Sequence, residues 1–256
     1  MEYDFQRASF MKRLPAWLLD IILLITVTTG FLVAWSYVFD TTPHIEELSG
    51  IIEQYEEQYG GQLSISVEDY EKMTDEEKLE AEKISQQIDQ ALNENPQALK
   101  LLERIASSLF AMVSLSILCA YIILEFLIPL WLKNGQTLGK KCFGVALMRK
   151  DGVKVTPFMM FVRTILGKST IETMIPVMLF IMVLLGAGGL MLLLGVGLLL
   201  AQVIVPVATR NKTAIHDMMA CTVAVDLASQ MIFDSVEDME AYNAELHVDK
   251  AFEDQE

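Results

Sequence analysis

The sequence predicts an all-α membrane protein: a four-helix transmembrane bundle, its third and fourth helices a short hairpin, with an acidic helical extracytoplasmic insert between helices 1 and 2. Three observations predict it. The apolar residues are gathered into three blocks, Leu14–Phe39, Ile105–Leu132 and Met174–Ala208, instead of being spread along the 256 residues. Basic residues flank the blocks where chain must stay in the cytoplasm. A glycine cluster divides the longest block.

Each block is long enough to span a bilayer, since a crossing helix needs about 20 apolar residues. The first contains Asp20 as its one ionisable side chain before the tyrosine, the second contains Glu125, and the third contains none. Arg7, Lys12 and Arg13 precede the first block and hold the N-terminus inside. The bulky "AWSYVFD" that follows offers no small-x-small cleavage site, so the block reads as an uncleaved helix over residues 1–39.

Residues 40–104 carry 17 acidic and 5 basic side chains, a net charge of about −12, and form the external insert. Within it, "MTDEEKLEAEKISQQIDQAL" begins with Thr74 and places Glu77 three residues on, the spacing of a capping box. Asn93–Pro96 ends that helix, and Pro96 suits the first turn of the next, which runs on into the second block, 105–132. The insert offers a surface for a protein partner or for cations, although a charge run of this kind is more often a solvated face.

The segment 133–170 carries eight basic residues against Asp151 alone, about +7, and reads as a cytoplasmic loop with an interfacial helix. The last block needs two passes. One helix of 35 residues would be about 52 Å long at 1.5 Å per residue, against a hydrocarbon core of about 30 Å. Gly186-Ala187-Gly188-Gly189 supplies a turn, giving helices near Ile171–Leu185 and Leu190–Ala208 within 171–208. Arg210 and Lys212 favour this cytoplasmic return over a re-entrant hairpin or one long helix. The tail, 209–256, is acidic, and both termini lie inside a cell membrane.

"NGQTLGKK" (Asn134–Lys141) is not a nucleotide loop. Its glycines are separated by three residues instead of four, Lys141 stands where a hydroxyl is required, and no strand precedes it. His44, His216 and His247 are scattered without ligand spacing, so no metal or cofactor is expected. The odd count of three cysteines argues against a disulfide framework. The basic loop beside membrane helices is a topology signal, not a nucleic-acid patch. No hydrolase, redox or metal-enzyme motif is present, and an enzyme is not expected.

Ionisable groups inside a bilayer are expensive and are candidates for function. Asp20 lies shallowly, soon after Pro15. Glu125 lies about two turns from the cytoplasmic end of the second block, and Pro129 cannot donate to its carbonyl. Arg13 and Asp20 are seven residues apart, on one helix face. Arg13 is expected to meet Asp217, with Asp20 sharing the guanidinium; Lys140 and Arg163 are the competing partners. Pairing that merely holds helices together is as good a reading of these acids as a transport role.

Four stretches resemble the RDD family of multi-pass membrane proteins. They are Arg13, Ala16 and Asp20; Glu125; Gly135, Thr137, Leu138, Gly139, Lys140 and Gly144, followed by Asp151-Gly152 and Arg163; and His216, Asp217, Ala220, Thr222 and Val223. Pro15 and the long insert depart from the family pattern. The resemblance implies a role in ion or small-solute transport, with Arg13, Asp20, Glu125 and Asp217 as an ion or charge-pair site. It also makes Gly135, Thr137, Gly139, Lys140 and Arg163 a cytoplasmic signature. Four helices are few for a transporter, so a homo-oligomer in the lipid bilayer is expected. The competing class is an accessory protein that recruits partners through its acidic insert and tail.

Overall fold

The computed structural model describes residues 6–132, 134–186, 188–209 and 213–253, the last eight of these by backbone alone. Four helical stretches are long and apolar enough to cross a membrane: Phe10–Ser36, Pro96–Trp131, Pro157–Leu184 and Gly189–Ala208. The chain forms two compact units. One comprises the residues up to Phe31 and those from Ser114 onward; the other is Leu32–Val113.

The first helix, α1 (Phe10–Ser36), begins upstream of Pro15 and so carries Arg13 within it. Its only buried residues are Ala16 and Asp20, one helical turn apart, whereas Trp17, Leu18, Ile22 and Ile25 are exposed. A soluble helix buries its apolar face; this one exposes it and buries a carboxylate, which is the pattern for lipid as solvent.

In the Leu32–Val113 unit, α2 (Thr42–Tyr59), α3 (Val67–Lys72) and α4 (Asp75–Glu94) precede α5 (Pro96–Tyr121). Gly60 ends α2 in the left-handed conformation at φ 74°. Thr74 and Glu77 form the reciprocal capping box. Asn95 Oδ1 caps α5, accepting from the N–H groups of Gln97 and Ala98 at 2.9 and 3.2 Å. Ile88, Leu92 and Ala98 form the unit's core, packed by Leu48, Ile52 and Tyr55.

In the other unit, α5 continues as a π-helical turn, Ile122–Leu127, and ends in α6 (Ile128–Trp131). After α7 (Leu138–Cys142) comes β1 (Val145–Arg149). The third apolar helix is continuous: α8 (Pro157–Phe161), a π-helical segment Val162–Met174, and α9 (Ile175–Leu184). Then follow α10 (Gly189–Ala208), α11 (Ile215–Met219), β2 (Thr222–Asp226) and α12 (Val236–Glu253).

Two expectations are corrected here. The chain is not all-α: β1 and β2 pair antiparallel, Leu147 opposite Ala224. The chain after β1 turns back around left-handed Gly152 through an isolated bridge, Met148 to Lys154, and the ladder partner of β1 lies beyond the fourth helix. The helix before residue 171 is also not a separate interfacial one. It is the first half of the third apolar helix, and its polar residues turn inward. Arg210, Lys212 and Ala187, on which the two-pass expectation drew, lie outside the described residues.

Both faces of the small sheet are buried. Val145 and Leu147 pack with Ala224, Met160, Phe126 and Leu130, while Ala146 and Met148 pack with Val223, Val225 and Ile232. Residues 6–8 run beside β2, through Asp226 N–H to the Gln6 carbonyl at 2.9 Å and a bridge from Arg7 to Val225. Lys12 Nζ meets Asp226 Oδ2 at 2.7 Å. The sheet thus gathers the start of α1, the chain after α6, the chain before α8 and the chain after α10.

Candidate functional site

Asp20 is the first anchor. Thr137 caps α7, and its hydroxyl donates to Asp20 Oδ2 at 2.5 Å while the Gly139 N–H donates to Oδ1 at 2.8 Å. Lys140 Nζ lies 3.5 Å from Oδ2 and donates to the Thr137 hydroxyl at 3.1 Å. A Cβ on Gly139 would collide with the Ala16 carbonyl oxygen, so the glycine lets α7 settle directly on α1. Gly135 holds a left-handed φ of 61° against Leu147, which fixes the entry to α7. Gln136 ties the same loop to the sheet through the Val145 carbonyl at 2.8 Å.

Asp217 is the second. Arg163 Nε donates to Asp217 Oδ1 at 2.8 Å, and the Thr222 hydroxyl donates to the same oxygen at 3.1 Å. Arg163 is 1% exposed. Gly167 makes the approach of α11 possible, because a Cβ there would lie 2.6 Å from the His216 Cβ. Burial opposes ionisation of Asp217, but the Arg163 guanidinium outweighs it and holds the carboxyl well below the usual range.

Glu125 is the third, and it is 3% exposed. Lys168 Nζ donates to its Oε2 at 2.7 Å. The carbonyl that Pro129 cannot serve accepts from the Thr164 hydroxyl at 2.9 Å. The same device recurs on the third helix. Glu172 stands four residues before Pro176, and its carbonyl accepts from Gln202 Nε2 of α10 at 2.7 Å. Its carboxylate receives His216 Nδ1 at 2.7 Å and the His216 backbone N–H at 2.9 Å. Burial, with Arg163 and Lys168 nearby, keeps His216 below its ordinary pKa despite Asp217 and Glu172, so the ring is neutral with its proton on Nδ1.

Of the cations weighed for Asp217 from the sequence, the competing Arg163 makes the hydrogen bond shown. Asp217 bonds Arg163, because the third helix passes beside α11, and Asp20 bonds the signature loop, because Gly139 brings donors onto it. Arg13 is close enough to Asp217 for charge attraction and lines the same cavity. Lys168, Glu172 and Thr164 were missed, and Thr222 was named only within the closing stretch that resembles the family. The repeated "EFLIP" and "ETMIP", Glu125–Pro129 and Glu172–Pro176, was the available signal for Glu172.

Many of the charged groups, though not Glu125, border one cavity of about 520 Å³. It is lined by Arg13, Lys140, Arg163 and Lys168, by Asp20, Glu172 and Asp217, and by His216, with apolar walls from α1 and α10. Burial and the neighbouring charges of Lys168 and Arg163 push Lys140 down to about 8, against the pull of Glu125 and Asp20. Among the described residues, no group of three or more His, Cys, Asp or Glu side chains could hold a metal ion.

Four helices long and apolar enough to cross a membrane, with carboxylates and a guanidinium buried among the elements that join them, define a multi-pass membrane protein. The RDD family model matches residues 7–221, and the chain belongs to that family. No curated protein and no solved structure matches the chain.

Proposed function

We propose that this protein moves an ion or small solute across the cell membrane as a homo-oligomer, with the charge-lined cavity of each protomer as the binding site. The cavity carries the reading. Buried charges that served only to join helices could be closed over by side chains, whereas these line about 520 Å³ of open volume. The π-helical turns at Ile122–Leu127 and Val162–Met174 support it, since such turns recur at functional sites and here bring Glu125, Lys168 and Glu172 inward.

In this reading the gathered helix ends lie at the cytoplasmic face, with both termini inside, as the basic residues at 133–168 favour. The residues 40–104 are then extracytoplasmic, and the turn at Gly186 and Gly188 joins the third and fourth helices as a hairpin at the outer face. The role is non-enzymatic.

A second reading rests on the Leu32–Val113 unit. It has its own core, and it contains residues 40–104, whose 17 acids against 5 bases suit recruitment of a basic protein partner. Reconstitution of the purified protein into vesicles separates the two. Ion or proton flux above that of protein-free vesicles supports transport; co-purification of a stoichiometric partner without flux supports the accessory role.

A further inference from the structure

We infer that the cavity bordered by α1, the π-helical segment Val162–Met174 and α10 takes an anionic phosphate group, either a lipid headgroup or free phosphate. The inference deepens the transport reading, since it names the ligand class for the same cavity. Four cationic side chains line it against three carboxylates. Those carboxylates are engaged. Asp20 accepts from Thr137 and Gly139, Asp217 from Arg163 and Thr222, and Glu172 from His216. Lys168 serves Glu125, which lies outside the lining, and Lys140 serves Thr137 and Asp20.

Arg163 is the decisive one. Its Nε serves Asp217, while its buried Nη1 has no hydrogen-bond partner among the described residues. A buried guanidinium N–H left without an acceptor is costly, so an oxyanion within reach of it is favoured. The planar guanidinium can hold such a group by directed N–H bonds while the ammonium groups of Lys140 and Lys168 add charge from other sides. A tetrahedral phosphate meets donors arriving from several directions better than a planar carboxylate does. Burial first, and then the charges of Lys168 and Arg163, lower Lys140 to about 8. The cavity's outer wall is apolar: Trp17, Leu199 and Val203 are exposed on helices that face lipid, which leaves a path for an acyl chain beside the charged floor.

The test uses the full-length protein purified in uncharged detergent. Thermal unfolding is followed with inorganic phosphate, with dihexanoylphosphatidic acid, and with dihexanoylphosphatidylcholine, all at matched ionic strength. A rise in Tm of several degrees with phosphatidic acid, or with inorganic phosphate, and none with phosphatidylcholine is expected. A rise with both phosphate probes assigns a free-anion site; a rise with the lipid alone assigns a headgroup site. Lys140→Gln is expected to weaken the apparent affinity about tenfold, or ~1.4 kcal/mol, because Thr137 and Gly139 still hold Asp20. Lys141→Gln, on an exposed side chain, leaves it unchanged. The inference is overturned if neither phosphate probe shifts the Tm, if phosphatidylcholine shifts it equally, or if Lys140→Gln binds as tightly as wild type. Flux is measured separately on the same preparation. Phosphate binding without flux removes the transport reading and leaves this one, and flux without phosphate binding does the reverse.

Discussion

The backbone N–H of Gly139 donates to Asp20 Oδ1 at 2.8 Å, and it does so because Gly139 has no side chain to keep α7 off the Ala16 carbonyl. A carboxylate on the first apolar helix is thereby held by a loop 119 residues away. The R-x-x-A-x-x-x-D pattern and the G-x-T-L-G-K pattern are two halves of one contact: Ala16 provides the flat surface, Gly139 the close approach, and Thr137 the second hydrogen bond.

Gly139→Ala is expected to destabilise the protein by ~1–3 kcal/mol, the usual range for overpacking a buried contact. Gly30→Ala, on the same helix as Asp20 with nothing within 4 Å of the new methyl, is expected to be neutral or mildly stabilising. Thermal unfolding in detergent compares them. Equal behaviour of the two variants contradicts the close approach.

Removing one partner of the Arg163–Asp217 pair strands a buried charge. Arg163→Gln and Asp217→Ala are each expected to cost ~3–5 kcal/mol, seen as loss of folded protein, and the two losses are expected not to add. Arg13→Gln is expected to be clearly milder, because Arg163 stays on Asp217. A larger loss in the Arg13 variant than in the Arg163 variant would make Arg13 the main partner of Asp217.

Much of this was legible in the sequence. Asp20 and Glu125 stand out because each interrupts an apolar run, and the Thr74–Glu77 cap and the Pro96 restart are local patterns. What was not legible is long-range. The β1–β2 pairing joins segments more than 70 residues apart, and four-residue apolar runs do not announce a strand on their own. The helix before residue 171 reads as interfacial, and Arg163, Lys168 and the adjoining Glu172 lower the hydropathy there. Those three charges face inward, each with a partner, so the segment belongs to the third apolar helix. The choice between Arg13 and Arg163 for Asp217 could not be made from topology, since both reach the same boundary.

Lys140 gives a pH signature. Its folded pKa of about 8 lies below the ordinary 10.5, so between these values the unfolded chain binds more protons and stability rises with pH. The penalty is full below about pH 8 and gone above about 10.5. Lys168, Arg163, Glu125 and Asp20 are the charged groups that act on Lys140. Thermal unfolding from pH 7.5 to 10 is expected to show a rise in wild type that is smaller in Lys140→Met. An identical rise in both means that another group carries it.

Topology is open to labelling. With Cys119, Cys142 and Cys221 replaced, single cysteines in Asp75–Leu92 are expected to react with a membrane-impermeant thiol reagent from outside intact cells. Cysteines at Lys150 and Glu237 are expected to react only after permeabilisation. External reaction at Glu237 contradicts the two-pass reading of the last apolar block.

The most direct measurement asks whether the buried charges handle solute or only join helices. Glu125→Gln with Lys168→Met removes an ion pair as a pair, leaving no charge stranded, so the double variant is expected to fold and keep the oligomeric state of wild type. Ion flux into vesicles holding equal amounts of folded wild type and double variant is then compared. At least a tenfold loss of flux is expected in the double variant, because Lys168 lines the cavity. Undiminished flux in a fully folded double variant would contradict it and leave the pair as a brace between helices.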